Sequence, residues 1–144
     1  MKEDKITTEY SIDYVLKRAA ENDVRFIRLW FCDIFGTMKG FGITIDELES
    51  VLIGGASFDG SVMYGPQRSK ENEMIAIPDP STFQILPWRP QKLSVGRIMC
   101  NIVDGNGNPS NLDSRQILKN TLKKLKEEKM DFYVGPEIEY FYLK

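Results

Sequence analysis

The stretch 24-VRFIRLWFCD-33 restricts the possible folds more than any other part of the chain. It is rich in branched and aromatic residues and long for a strand. As a strand it puts Arg25, Ile27, Leu29 and Phe31 on one face, and Phe26, Arg28, Trp30 and Cys32 on the other. Asp33 and Gly36 supply turn chemistry, and 37-TMKGFGIT-44 reads as the return strand. The two segments form a hairpin with a slightly long loop.

The remaining segments fall into place around that hairpin. Upstream, Ile12, Val15, Leu16 and Ala19 recur at helical spacing, predicting a helix over residues 8–21 that Asn22-Asp23 ends. Downstream, 45-IDELESVL-52 reads as a short helix with acids in its first turn, where the helix dipole favours them. Residues 54–73, rich in Gly, Ser and charge, read mostly as a long loop, which in a compact domain usually carries function. Short strands are expected at 74–77 and 83–86 around a Pro-Asp-Pro-Ser turn, and another at 95–104. The run 104-DGNGNPSN-111 is a turn with no chemistry of its own. Asp113 is placed as an N-cap, before a helix over 114–129 whose apolar face is Ile117, Leu118, Thr121, Leu122 and Leu125. Residues 131–143 alternate as a last strand. A hairpin first, then a sheet crossed by one helix, is an α+β pattern of β-grasp (ubiquitin-like) type.

Composition narrows function mainly by exclusion. The 144 residues, 42% hydrophobic and 28% charged, suit one soluble domain, or a small domain plus a piece of another. A net charge of −2 gives no general affinity for nucleic acid or anionic membrane. No apolar stretch is long enough to span a bilayer, and 1-MKEDKITTEYS-11 lacks the apolar core of a secretory signal. A cytoplasmic protein with Cys32 and Cys100 as reduced, buried thiols is the expectation. Histidine is absent, which removes Ser-His and Cys-His pairs and imidazole metal ligands. A metal held by these residues is held by oxygen, which favours Mg²⁺ or Mn²⁺ over Zn²⁺.

Three motifs carry candidate chemistry. Glu137 and Glu139 lie two apart in 135-GPEIEYFYLK-144, on one face if that run is a strand. They suit a divalent ion or a pair of ions, but also an exposed face paired with lysines of the preceding helix, and spacing alone prefers the second account. Gly60 to Gly65 has the glycine spacing of a phosphate loop, but Pro66-Gln67 stands where Lys-Ser/Thr is required, which excludes that match. Asp59 is either a turn-former or a carboxylate presented to a small cation or an amine. Arg97 and Arg115 suit phosphate contacts and surface ion pairs equally.

Six blocks together resemble the N-terminal part of the glutamine synthetase family. They are Leu29-x-Phe31-x-Asp33-x-x-Gly36, 58-FDGS-61, 78-PDPSTFQILPW-88, 96-GRIMCNIVDGNGNP-109, Asp113-x-Arg115 and 135-GPEIEYF-141. Order and spacing agree from about residue 10 to the end. The resemblance implies an N-terminal helix over 1–21, the family's β-grasp domain over 22–108, and the first helix and strand of its catalytic domain over 112–144. It implies a ligase that makes glutamine from glutamate, ammonia and ATP with Mg²⁺ or Mn²⁺, through γ-glutamyl phosphate. Glu137 and Glu139 fall on two acids that ligate different metal ions. Asp59 falls on a loop aspartate that reaches a neighbouring subunit's active site in a homo-oligomer, where it binds and helps deprotonate ammonium. Most of the catalytic domain is expected beyond Lys144, so these 144 residues alone are expected to be inactive. Val62 stands where many members have a second Ser, and Asn72-Glu73-Met74 where Ser-Asp-Met is common. Those changes keep a γ-glutamyl–amine ligase of the same fold open as an alternative, alongside a non-catalytic β-grasp interaction module.

Overall fold

The computed structural model describes residues 11–64, 73–88 and 92–143. Helix α1 (Ile12–Glu21) begins where Ser11, in extended conformation, accepts the Tyr14 N–H on its hydroxyl. The expected helix start at residues 8–10 lies outside the described residues. Strands β1 (Val24–Cys32) and β2 (Met38–Thr44) form the expected antiparallel hairpin, with Leu29 opposite Phe41. The alternation in β1 is broken once. Val24 pairs with Ser94 and Phe26 with Val95, so a bulge leaves Arg25 and Phe26 both exposed while Val24 and Ile27 are both buried. A 3-10 turn (Ile45–Glu47) then leads into α2 (Leu48–Gly54). Its capping box is complete, with the Thr44 N–H and hydroxyl both donating to the Glu47 carboxylate.

The expected loop over 54–73 contains a strand. β3 (Ala56–Asp59) pairs antiparallel with β4 (Glu73–Pro78), and a 3-10 turn (Gly60–Tyr64) follows it. The strand hides among small and polar residues because it is a four-residue edge with only Phe58 to mark its buried face. The rest of that loop, 65–72, lies outside the described residues. β5 (Gln84–Ile85) and β6 (Ser94–Asp104) complete the sheet, in the order β2-β1-β6-β4-β3 with β5 also on β6. β1 and β6 run parallel at its centre and every other pairing is antiparallel.

One face of the sheet carries the core. Ile27, Leu29 and Phe31 from β1 and Ile98, Cys100 and Ile102 from β6 meet Val15 and Ala19 of α1 and Leu48 and Val51 of α2. Phe31, Phe41 and Phe58 stack across three strands, with Phe31 and Phe58 centroids 4.7 Å apart. Helix α3 (Ser114–Glu127) follows Asp113, which is fully buried and caps as expected. Its carboxylate accepts the Arg115 N–H (3.0 Å) and also the Ile102 N–H of β6 (2.9 Å), riveting the helix start to the sheet. Lys119 of α3 reaches Asn101, which alternates with the buried Cys100 and Ile102 and so faces the other side of the sheet.

Residues 131–143 do not form the expected last strand. They are exposed, and no ladder joins them to another described segment. Alternation describes a strand's faces, but a strand exists only through a neighbour's hydrogen bonds.

Two stability predictions follow from local geometry. Gly55 caps α2 with φ +78°, and a Cβ there would meet Ile75 Cγ2 and Ile77 Cδ1 at 2.6 Å, whereas a Cβ on Gly54 meets nothing within 4 Å. Gly55→Ala should cost about 2–4 kcal/mol and Gly54→Ala should lie within about 1 kcal/mol of neutral, read from denaturant melts. Asp23, Glu47 and Asp104 are each more acidic than usual, mainly because backbone N–H groups of Leu93, Thr44 and Asn108 respectively donate to their carboxylates. A carboxyl whose folded pKa is lowered contributes stability that is complete above its unfolded value and lost as pH falls through the folded one. Starting from ordinary values of 3.8 for the aspartates and 4.5 for Glu47, the melting temperature should hold to about pH 5 and fall below it. Asp104→Asn should flatten that acid limb.

Candidate functional site

Asp59 ends β3, on the face opposite Phe58 and opposite Glu73 of β4 in the ladder. Two exposed carboxylates thus stand side by side at the sheet edge. Like charges directly opposite repel, so such a pair calls for positive charge nearby. Asp59 is also the turn-former that its position suggests. Its Oδ1 accepts the Ser61 N–H (2.9 Å) and its Oδ2 the Ser61 hydroxyl (2.7 Å), which fixes the carboxylate plane at the start of the 3-10 turn. Ser61 and Met63 are buried, so the turn is anchored from below.

Strand directions gather several segments at this end of the sheet. Because β6 is parallel to β1, and β4 and β3 alternate beyond it, the ends of β1, β3 and β6 lie together with the start of β4. The hairpin loop after β1 is there, tied to the Asp59 turn by the Ile34 N–H, which donates to the Met63 carbonyl (3.3 Å). Asp33 organises that loop from a buried position, with Lys39 at 3.6 Å. The Asp33-x-x-Gly36 spacing marks the turn in the sequence, but nothing in the sequence marks its bond to residue 63.

Glu137 and Glu139 lie in the exposed segment after α3, and neither forms an ion pair or hydrogen bond among the described residues. No described cluster of three or more His, Cys, Asp or Glu brings them together with Asp59. As hard oxygen donors they fit Mg²⁺ or Mn²⁺ better than Zn²⁺, and two carboxylates leave most of an octahedral shell to other donors.

The two arginines are both occupied within the fold. Arg115 pairs with Asp79, where both side chains are largely buried. Arg97 donates to Thr82 and Gln84 and lies over the Trp30 ring, 5.7 Å from its centroid. Cys100 is fully buried, and that burial pushes its thiol up to about 12, so it is no nucleophile at neutral pH. Cys32 is half-buried and unpaired. No described helix is long and apolar enough to cross a membrane.

A sequence model of the family described as "Glutamine synthetase, beta-Grasp domain" matches residues 23–105. Among curated proteins, the glutamine synthetase of Mycolicibacterium smegmatis is 44% identical over 137 residues, that of Methanosarcina mazei 41% over 130, and that of Methanocaldococcus jannaschii 38% over 147. These alignments cover 92%, 90% and 96% of this chain but only 30%, 29% and 32% of the relatives, so the chain spans about three-tenths of their length. Two solved structures, titled as a GmaS/ADP complex and as GmaS without ligand, share the fold at 25% identity. Their TM-scores are 0.67 and 0.68, covering 79% and 78% of this chain and 26% of each of those chains. The mixed sheet, its opening hairpin and its helices are the β-grasp α+β arrangement that the sequence implied, and the chain belongs to the glutamine synthetase family.

Proposed function

We propose that this chain is the N-terminal portion of an ATP-dependent glutamate–ammonia ligase that forms glutamine through γ-glutamyl phosphate. The observation that carries the reading is the likeness to a glutamine synthetase over 92% of the chain; Asp59, Glu137 and Glu139 lie in blocks that resemble the family's motifs. On this reading the activity belongs to a cytoplasmic homo-oligomer of a longer protein, with active sites shared between neighbouring subunits. The 144 residues alone are inactive.

Asp59 does the ammonium chemistry. The paired Asp59 and Glu73 carboxylates attract the cation. Ser61 donates twice to Asp59, which holds the carboxylate plane from which it would meet an ammonium N–H. Transfer of that proton to Asp59 frees a nitrogen lone pair. The nitrogen bonds to the γ-carbonyl carbon of phosphorylated glutamate, and the C–O bond to phosphate breaks. Glu137 and Glu139 would hold two different Mg²⁺ or Mn²⁺ ions, which when bound supply charge neutralisation to the ATP phosphates.

A second reading has its own support. Val62 replaces a common Ser beside the Asp59 turn, and the chain shares its fold with GmaS. A γ-glutamyl–amine ligase would place a larger amine in the same corner.

The full-length protein should release phosphate from ATP and glutamate when ammonium is supplied, and Asp59→Asn should lower kcat/KM for ammonium by about 100-fold or more. Turnover with methylamine or larger amines, and none with ammonium, would instead select the second reading. Calorimetry of the 144-residue chain with Mn²⁺ should show binding no tighter than about 100 μM, because two carboxylates leave the shell mostly to water. A micromolar site would mean that other residues of this chain complete it.

A further inference from the structure

We infer that Asp33 is a positioning residue for Asp59, acting across the end of the sheet through the turn that follows Asp59. The functional half of the inference rests on the ligase reading, and the structural half does not.

Asp33 is 1% exposed although it closes a strand at the sheet end. Its Oδ1 accepts the N–H groups of Phe35 (2.9 Å) and Thr37 (2.8 Å), and its Oδ2 faces the Lys39 ammonium at 3.6 Å. The main chain closes the same loop, with the Asp33 N–H donating to the Thr37 carbonyl and the Gly36 N–H to the Asp33 carbonyl. These bonds account for the N–H groups of residues 33, 35, 36 and 37. The Ile34 N–H goes outside the loop, to the Met63 carbonyl (3.3 Å).

Met63 is fully buried in the 3-10 turn that begins directly after Asp59. The same turn carries Ser61, whose two donors set the Asp59 carboxylate plane. A second link runs in parallel: Phe31, two residues before Asp33, stacks on Phe58, the residue before Asp59. The hairpin loop and the Asp59 turn therefore share one hydrogen bond and one ring contact.

The chemistry of the loop supports a positioning role. Asn or Ser builds a turn of this size without burying a charge. A buried carboxylate beside a single lysine is a costly choice for the turn alone. What it adds is one fixed loop conformation, and with it a fixed direction for the Ile34 N–H. A carboxylate that must meet a small cation and take its proton tolerates little displacement, since about 1 Å of misplacement costs about 100-fold in rate.

Two measurements test this. The first is amide hydrogen exchange on the 144-residue chain, comparing wild type with Asp33→Asn, which keeps one acceptor oxygen but removes the charge facing Lys39. Exchange should quicken about tenfold at Ile34 and Ser61 as well as at Phe35 and Thr37, with the Ile102 amide unchanged. Quickening confined to Phe35 and Thr37 would overturn the inference and leave Asp33 as a builder of its own loop. Should Asp33→Asn fail to fold, Lys39→Met tests the same link by removing only the lysine, with the same expectation at Ile34 and Ser61. The second measurement is steady-state kinetics of the full-length ligase. Asp33→Asn should raise KM for ammonium about tenfold while KM for ATP stays within about twofold. A uniform loss of active enzyme, with both KM values unchanged, would overturn it. A wild type that does not use ammonium sinks the ligase reading instead, and the exchange comparison then decides the positioning claim by itself.

Discussion

The parallel pairing of β1 with β6 is the constraint from which the rest of the domain follows. It joins segments about seventy residues apart, so it carries a large loop-closure cost and forms only with support at its start. That support is local and specific. Asp23 sits at φ +48° and Leu93 at φ +55°, and the Leu93 N–H donates to the Asp23 carboxylate. The Ser94 N–H and hydroxyl donate to the carbonyls of Asp23 and Asn22. Four residues thus clamp the two strand origins before the ladder begins. The bulge between Val24 and Phe26 then brings the buried faces of both strands into step.

Once those two strands run in the same direction, the position of the candidate chemistry is set by topology. β4 must return antiparallel along the far half of β6, and β3 along β4, so Asp59 arrives at the same end as the β1–β2 loop. The aromatic stack of Phe31, Phe41 and Phe58 ties three strands together just inside that end. Asp113 extends the arrangement. By accepting from both Ile102 and Arg115, it joins the first turn of α3 to the strand at the centre of the sheet. One buried carboxylate holds the hairpin loop and another holds the start of the last helix. In both cases the carboxylate accepts from backbone N–H groups that would otherwise lack partners.

What the sequence made legible, and what it hid, divides along physical lines. Asp113 was readable as a cap because a cap is a contact between near neighbours, whereas the caps at Ser11 and at Thr44 with Glu47 came from the structure. The hairpin was readable because β-branched and aromatic alternation is strong over nine residues. β3 was missed because an edge strand of four residues carries almost no periodic signal, and Gly54-Gly55 before it and Gly60-Ser61 after it read as loop. The opposite error occurred at 131–143, where a strong alternating signal has no described partner. Asp59 was visible as a candidate and as a turn-former, and its fixation by Ser61 came from the structure. Its neighbour Glu73 and its tie to Ile34 were not visible, because both depend on strand order, which no local pattern encodes.

The two sets of candidate carboxylates differ in how far the fold has already prepared them. Asp59 is held by two hydrogen bonds on a buried turn, so most of the entropy of orienting it has been lost on folding and need not be lost again on binding. Glu137 and Glu139 sit in a segment whose Phe132, Tyr140, Phe141 and Tyr142 are all largely exposed. Ordering those residues requires something to cover the rings and to complete the strand's hydrogen bonds. In a longer ligase of the relatives' size, the same residues that cover the rings would place both glutamates and supply further metal ligands. Folding of that region and assembly of the proposed metal site would then be one event, whereas Asp59 is already oriented within the β-grasp domain. The candidate carboxylates thus divide into one oriented by its own turn and two whose placement depends on what packs against their segment.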